Sequence, residues 1–127
     1  MTEIAAWIAV SIFIVMIVFQ SLLALGAPFG KIAWGGNHRI LPLNLRIGSI
    51  ISVGLFIIAT ATLLEKANLQ ITFNRPGLVN ILVWFYVGLF SLSTFANIVS
   101  KSRLEQKIMI PVAATLTILC LIVAIDI

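Results

Sequence analysis

Four long runs of apolar residues alternate with short polar segments along the chain. The runs cover residues 4–25, 47–64, 78–99 and 108–125, and none contains Asp, Glu, Lys, Arg or His. Helices of 18 to 22 residues reach roughly 27 to 33 Å, which matches a bilayer core about 30 Å thick. Because backbone amides must be paired in lipid, and the runs are longer than barrel strands, the pattern predicts an all-α transmembrane four-helix bundle. Residues 1–127 are expected to form this single domain.

The composition agrees with a protein that lies in lipid. Hydrophobic residues make up 61% of the 127 positions and charged residues 9%, whereas soluble domains carry about 25% charged residues. Eight Lys plus Arg and four Asp plus Glu cannot cover the surface of a soluble domain. This excludes a cytosolic enzyme, a disordered tail and a disulfide scaffold. The first run is longer than the core of a secretory signal and no Lys or Arg precedes it, which favours a retained helix.

The basic residues lie mainly in the first and third loops. Six of them occur there: Lys31, Arg39, Arg46, Lys101, Arg103 and Lys107. The second loop, on the opposite side, carries Lys66 and Arg75. Because cytoplasmic loops are enriched in Lys and Arg, we expect the first and third loops in the cytoplasm and both termini on the extracytoplasmic side.

Small and weakly polar residues within the runs mark candidate packing faces. The six candidate packing residues are Gln20, Ser52, Asn80, Gly88, Ser91 and Thr117. Helices in lipid associate through small residues and interhelical hydrogen bonds, so we interpret these positions as packing contacts, with Gly88 at a helix-helix contact. The alternative is a polar pathway. The packing interpretation is favoured because transport paths usually contain an ionisable group, and the runs contain none.

The first loop, residues 26–46, is unusual for a connector. It contains four Gly and two Pro together with large apolar residues that include Phe29, Ile32, Trp34, Ile40, Leu41 and Leu43. The Gly and Pro residues prevent one continuous helix, while the apolar residues would be poorly placed in water. We expect an ordered loop at the cytoplasmic interface, with Trp34 as its anchor.

The same loop holds a candidate anion site. Its residues are Lys31, Gly35, Gly36, His38, Arg39 and Arg46. Glycine amides and Arg side chains can together bind a phosphate, and a lipid headgroup is the expected ligand. A topology signal combined with an interfacial anchor is the favoured alternative, because basic loops follow from orientation alone.

Other chemistry has little support in the sequence. The loop lacks the GK[ST] ending of a nucleotide-binding P-loop. One His and one Cys, Cys120, provide no metal site and no nucleophilic Cys/His pair, so neither metal nor cofactor is expected. The basic residues are confined to loops, and no nucleic-acid partner is expected. A non-enzymatic function is favoured, and a lipid-modifying enzyme centred on the first loop is the lowest alternative.

The third loop is expected to be a simple basic connector. We expect Glu105 to form a weak local ion pair there, so that its replacement by Gln leaves folding unchanged. Pro111 is expected in the first turn of the fourth helix, where its missing amide costs little.

Several segments together resemble an uncharacterised family of small bacterial integral membrane proteins with four predicted helices. They are residues 26–30 (GAPFG), 34–36 (WGG), 41–42 (LP), 46–49 (RIGS) and, later, Ser100, Ser102, Glu105 and Pro111. This resemblance implies a multi-pass protein of the bacterial cytoplasmic (inner) membrane and no specific activity.

Two classes of function remain open. The favoured one is binding of membrane lipids or of a membrane-protein partner, which includes a homodimer. The alternative is a small transporter or channel that acts as an oligomer. In size the chain is similar to small multidrug transporters, whose first helix carries a carboxylate, whereas Glu3 lies at the edge of the first run.

Overall fold

The computed structural model describes residues 2–69 and 75–125, and within them the chain forms four long helices. These are α1 (Thr2–Ala24), α2 (Leu43–Lys66), α3 (Pro76–Ile98) and α4 (Arg103–Ala124). Each is long and apolar enough to cross a membrane, which confirms the prediction of an all-α chain with four helices of spanning length. Residues 70–74 of the second loop lie outside the described residues.

Two helices begin about one turn before their apolar runs. Helix α2 begins at Leu43 instead of residue 47, after Pro42 in an extended conformation. Helix α4 begins at Arg103 instead of residue 108, with Ser102 as its N-cap. The runs were delimited by charged residues, but a helix continues past a charged side chain until its backbone is capped. Pro111 therefore lies inside α4, and its expected place in the first turn is wrong.

The helices form a ring in which each packs against its neighbours along the chain and α4 returns to α1. An aromatic cluster fills the centre. The rings of Phe13 and Phe90 are 5.7 Å apart, and Phe56 lies 5.8 Å from Phe13. Tyr86 stacks on Phe90, and its hydroxyl donates a hydrogen bond to the Leu55 carbonyl at 2.7 Å. Such ring pairs contribute roughly 0.5 to 1.5 kcal/mol each beyond the area they bury.

The inward face of α3 differs from the expected one. Val79, Val83, Tyr86 and Phe90 are buried. The predicted packing residues of α3, which are Asn80, Gly88 and Ser91, are exposed. A Cβ at Gly88 would meet nothing within 4 Å, so the expected helix-helix contact is wrong for this chain. The reason is that large apolar side chains, rather than close backbone approach, fill the space between α3 and the other helices.

The outer faces of the bundle are apolar. Three side chains that point away from the core are examples: Val15 is 65% exposed, Ile81 is 68% exposed and Leu92 is 67% exposed. Soluble monomers rarely expose contiguous apolar surface of this extent, whereas lipid tails are a favourable environment for it.

The first loop is ordered, as expected. It forms two 3-10 turns, Gly30–Ile32 and Trp34–Gly36, and the Gly30 amide donates to the Arg39 carbonyl at 2.8 Å, which closes the loop on itself. Ala33 and Leu41 are buried against Leu23. Four of the six named apolar residues, Phe29, Trp34, Ile40 and Leu43, are instead exposed. The loop therefore depends on fewer apolar contacts than the sequence indicated.

Trp34 connects this loop to α2. Its Nε1 donates a hydrogen bond to Ser49 Oγ at 3.1 Å. A Cβ at Gly48 would lie only 2.8 Å from the indole ring, so the ring approaches α2 over a position where a larger residue does not fit. Trp34 is still 41% exposed, with one side of the ring towards α2 and the rest outside.

Candidate functional site

The connection between α3 and α4 is built from hydrogen bonds. Ser102 Oγ accepts from the Glu105 amide at 3.2 Å and caps α4, while Ser100 Oγ accepts from the Ser102 amide at 3.1 Å. Gln106 Nε2 donates to the carbonyls of Ile98 and Ser100 at 2.8 and 3.0 Å. These bonds satisfy backbone groups that the two helix ends leave unpaired. The connection is thus a defined structure rather than a simple loop.

Glu105 is the main departure from the predicted connector. Its side chain is only 4% exposed, and its carboxylate accepts a hydrogen bond from the Gly35 amide of the first loop at 3.3 Å. Within the described part of the chain, no Lys, Arg or His forms an ion pair with it. The expectation of an exposed local ion pair is therefore wrong. Glu105 lies in the first turn of α4.

A second contact joins the first loop to the start of α4. The Ser102 hydroxyl, besides capping the helix, donates to the Lys31 carbonyl at 2.6 Å. Gly36, with a φ of +74°, lies against Ser102, where a Cβ would come within 2.9 Å of the hydroxyl oxygen. The two bonds, from Ser102 and from the Gly35 amide, hold the loop over the end of the bundle.

Beneath this loop lies a cavity of about 450 Å³. Residues of all four described helices and of the first loop line it. Most of its wall is apolar, with Phe19, Phe56, Phe90 and Trp34 among the larger side chains. A small number of polar residues interrupt that wall: Gln20, Ser52, Ser93, Asn97 and Glu105. Pockets that bind small molecules commonly have roughly 300 to 1,000 Å³ and this kind of wall.

Several polar atoms at the cavity present lone pairs. Gln20 Oε1 is buried and has no hydrogen-bond partner. The hydroxyls of Ser52 and Tyr86 donate hydrogen bonds to the Gly48 and Leu55 carbonyls, respectively. Their oxygens can therefore only accept a further hydrogen bond. Because an unpaired buried acceptor costs about 1 to 3 kcal/mol, Gln20 is a position where a donor would stabilise the protein.

The residues of the predicted anion site are arranged differently from the expectation. The Gly35 amide donates to Glu105 and the Gly36 amide to the Ala33 carbonyl, so neither is free to bind an anion in this conformation. Arg46 donates through Nε to the Leu41 carbonyl at 3.0 Å. Lys31, His38 and Arg39 are exposed. Contact of these basic side chains with a lipid headgroup stays a prediction.

The predicted packing residues mostly bond within their own helices. The hydroxyls of Ser52, Ser91 and Thr117 each donate to the carbonyl four residues earlier. Such bonds satisfy the hydroxyl without joining two helices. Asn80 does bridge two helices, since its Oδ1 accepts from Lys66 Nζ at 2.6 Å, but at an exposed position. Of the predicted set, Gln20 and Ser52 reach the cavity.

Glu105, Ser93 and Asn97 are not among the site residues that the sequence predicts. One signal could have identified Glu105: Ser102 and Glu105 have the Ser-x-x-Glu spacing of a helix start, which places the glutamate in the first turn of α4. Its contact with Gly35 joins residues 70 positions apart, and no local pattern predicts that contact.

Comparison with known proteins found no matching family model, no similar curated protein and no similar solved structure. Within residues 2–69 and 75–125, no group of three His, Cys, Asp or Glu side chains could hold a metal ion. The cavity and its residues are therefore the features that bear on function.

Proposed function

We propose that this chain is a multi-pass membrane protein that binds a small amphipathic molecule in the cavity beneath the first loop. The observation that supports this is the cavity itself: about 450 Å³ of space with an apolar wall, a buried carboxylate and an unpaired Gln20 oxygen. An apolar wall favours a hydrocarbon body, and a few buried polar groups fix the orientation of a polar head. A membrane lipid or a lipid-like metabolite has both parts.

A cavity-filling substitution tests this proposal. Ser93 lines the cavity, whereas Ser91, two residues away on the same helix, is exposed. Ser93→Phe should fill part of the space, and Ser91→Phe is the matched control. A molecule that binds the folded state raises the unfolding temperature, because binding stabilises that state by mass action.

The measurement uses n-octanol as a neutral amphipathic probe on protein in a neutral detergent. Cys120 is the single cysteine and is fully buried, so its labelling by a fluorogenic maleimide reports unfolding. We expect a saturable rise in unfolding temperature for the wild type and for Ser91→Phe, and none for Ser93→Phe. An equal rise in both variants, or no rise in the wild type, would contradict binding in the cavity.

A small transporter is the second candidate, because of Glu105. Ionisable side chains that face the interior of a helical bundle often mark the path of a substrate or ion. The apolar runs contain no such group, but Glu105 is buried at the cavity. Uptake of a labelled cation into vesicles containing the reconstituted protein, compared with vesicles containing Glu105→Gln, would test for transport.

We propose that the protein lies in a bacterial cytoplasmic membrane, as the resemblance implies, with the first and third loops in the cytoplasm. The support for this orientation is that six Lys and Arg lie in or next to these loops, against Lys66 and Arg75 on the other side. The cavity would then lie near the cytoplasmic surface. A C-terminal reporter that fluoresces only in the cytoplasm should stay dark, and fluorescence would contradict this orientation. Association with a membrane-protein partner or a second copy stays a proposal.

A further inference from the structure

The carboxylate of Glu105 has no cationic partner within the described residues. It is 4% exposed, and its one side-chain hydrogen bond comes from the Gly35 amide at the long distance of 3.3 Å. The neighbouring basic residues on α4, Arg103 and Lys107, are exposed and form no ion pair with it. A buried carboxylate is costly unless a positive group compensates for the water it has lost. Among the residues that the structure describes, the Gly35 amide donates to the Glu105 carboxylate and no cationic side chain pairs with it.

The rest of the cavity indicates what kind of cation fits. Gln20 Oε1 is a second buried acceptor without a donor. Phe19, Phe56, Phe90 and Trp34 line the same space, and aromatic faces attract organic cations. A hydrated metal ion would find too few oxygen ligands against such a wall. A primary ammonium on an apolar body can donate several hydrogen bonds and also cover the aromatic surface.

From these contacts we infer that the cavity binds a lipophilic ammonium compound, with Glu105 as its counter-ion and Gln20 as a second acceptor. The inference rests on the proposed function, because it specifies the chemical class of the molecule that occupies the same cavity. The Gly35 amide donates to the carboxylate, and the ammonium group of the ligand takes over or shares that acceptor. Glu105 therefore contacts both the Gly35 amide of the first loop and the ammonium group of the ligand.

Three probes of equal chain length separate charge from shape: n-octylammonium, n-octanol and n-octanoate. At neutral pH the amine is protonated and the acid is ionised. Dissociation constants are obtained from the dependence of the unfolding temperature on probe concentration, with Cys120 labelling as the readout. For the wild type we expect n-octylammonium to bind about 10- to 100-fold more tightly than n-octanol, as a charge-assisted hydrogen bond implies, and n-octanoate to bind most weakly.

The variants assign this preference to Glu105. Glu105→Gln keeps the shape and removes the charge, so n-octylammonium and n-octanol should then bind equally. Glu3→Gln is the matched control, because Glu3 is exposed near the other end of α1. Glu105→Asp should retain part of the preference. If Glu105→Gln does not fold, Gln20→Leu provides the test, because loss of the second acceptor should reduce the preference for the ammonium probe.

The outcomes distinguish the two proposals. If all probes fail to raise the unfolding temperature of the wild type, both the cavity function and the ammonium inference are wrong. If n-octanol binds and the ammonium probe has no advantage, or keeps its advantage in Glu105→Gln and Gln20→Leu, the inference alone is wrong. Tightest binding of n-octanoate would also overturn it and would favour an anionic ligand.

Discussion

Gly36 brings the first loop into contact with the start of α4. Its φ of +74° lies in the left-handed region, and a Cβ there would approach the Ser102 hydroxyl to 2.9 Å and the Lys31 carbonyl to 3.0 Å. Ser102 uses the same hydroxyl to cap α4 and to bind Lys31. One residue without a side chain thus permits the contact that covers the cavity.

We predict that Gly36→Ala loosens the first loop. The left-handed conformation and the crowding against Ser102 together should cost about 1 to 3 kcal/mol. Trypsin should then cleave faster after Lys31 and Arg39, and Cys120 labelling should show a lower unfolding temperature. Gly54→Ala is the control, since a Cβ there meets nothing within 4 Å. Equal cleavage rates in both variants would contradict the close contact.

Trp34 shows how far the sequence can predict a residue's role. An aromatic residue in an apolar loop was expected to anchor it, and the bond to Ser49 confirms an anchor. The candidate anion site rests on residue types within one segment, and the Gly35 and Gly36 amides that it includes both donate to acceptors of the protein itself. Headgroup binding by its basic side chains stays a prediction. The Gly35 amide instead faces a carboxylate from α4, and that partner depends on tertiary packing.

Helix α4 has a start that is fixed by Ser102 rather than by hydrophobicity. The cap places Glu105 in the first turn, so the carboxylate points into the bundle instead of extending into a loop. A helix start at residue 108, as the apolar run suggested, would have left Glu105 outside the helix. The position of one cap therefore decides whether the cavity contains an ionisable group.

We predict that Ser102→Ala destabilises the protein by more than a simple cap loss. Removing an N-cap costs about 0.5 to 2 kcal/mol, and the bond to the Lys31 carbonyl is lost as well. Ser11→Ala is the matched control, because the Ser11 hydroxyl is exposed and donates to the Trp7 carbonyl of its own helix. The measurement is the free energy of unfolding in detergent. An effect no larger than that of Ser11→Ala would show that the cap does not fix the start of α4.

The spans were predictable because length and apolarity have direct physical consequences in lipid. Each run needed only to match the thickness of a bilayer, and no tertiary information entered. The helix ends and the cavity could not be predicted in this way, because caps and cavities depend on contacts between distant segments.

At the scale of the whole molecule, two kinds of packing occur in one bundle. Helices α1 and α4 bury alanines such as Ala9 and Ala113, whereas α3 buries Val83, Tyr86 and Phe90. A rule that assigns small residues to interfaces therefore succeeds on two helices and fails on the third. The aromatic residues of α3 extend across the centre to Phe13, so α3 does not need close backbone approach.

Because of this arrangement, we predict that substitution by Leu is tolerated on the outer face of α3 and destabilises the protein on the inner face of α4. Gly88→Leu should leave the free energy of unfolding within about 0.5 kcal/mol of the wild type, because the new side chain points away from the bundle into open space. Ala113→Leu should destabilise by about 1 to 3 kcal/mol, because Ala113 is 5% exposed and the added volume overpacks the core. Loss of helical circular dichroism on heating in detergent measures both. If Gly88→Leu were as destabilising as Ala113→Leu, the outer face of α3 would have to be covered in the folded protein, and a change in mass by light scattering would identify a second copy as the cover.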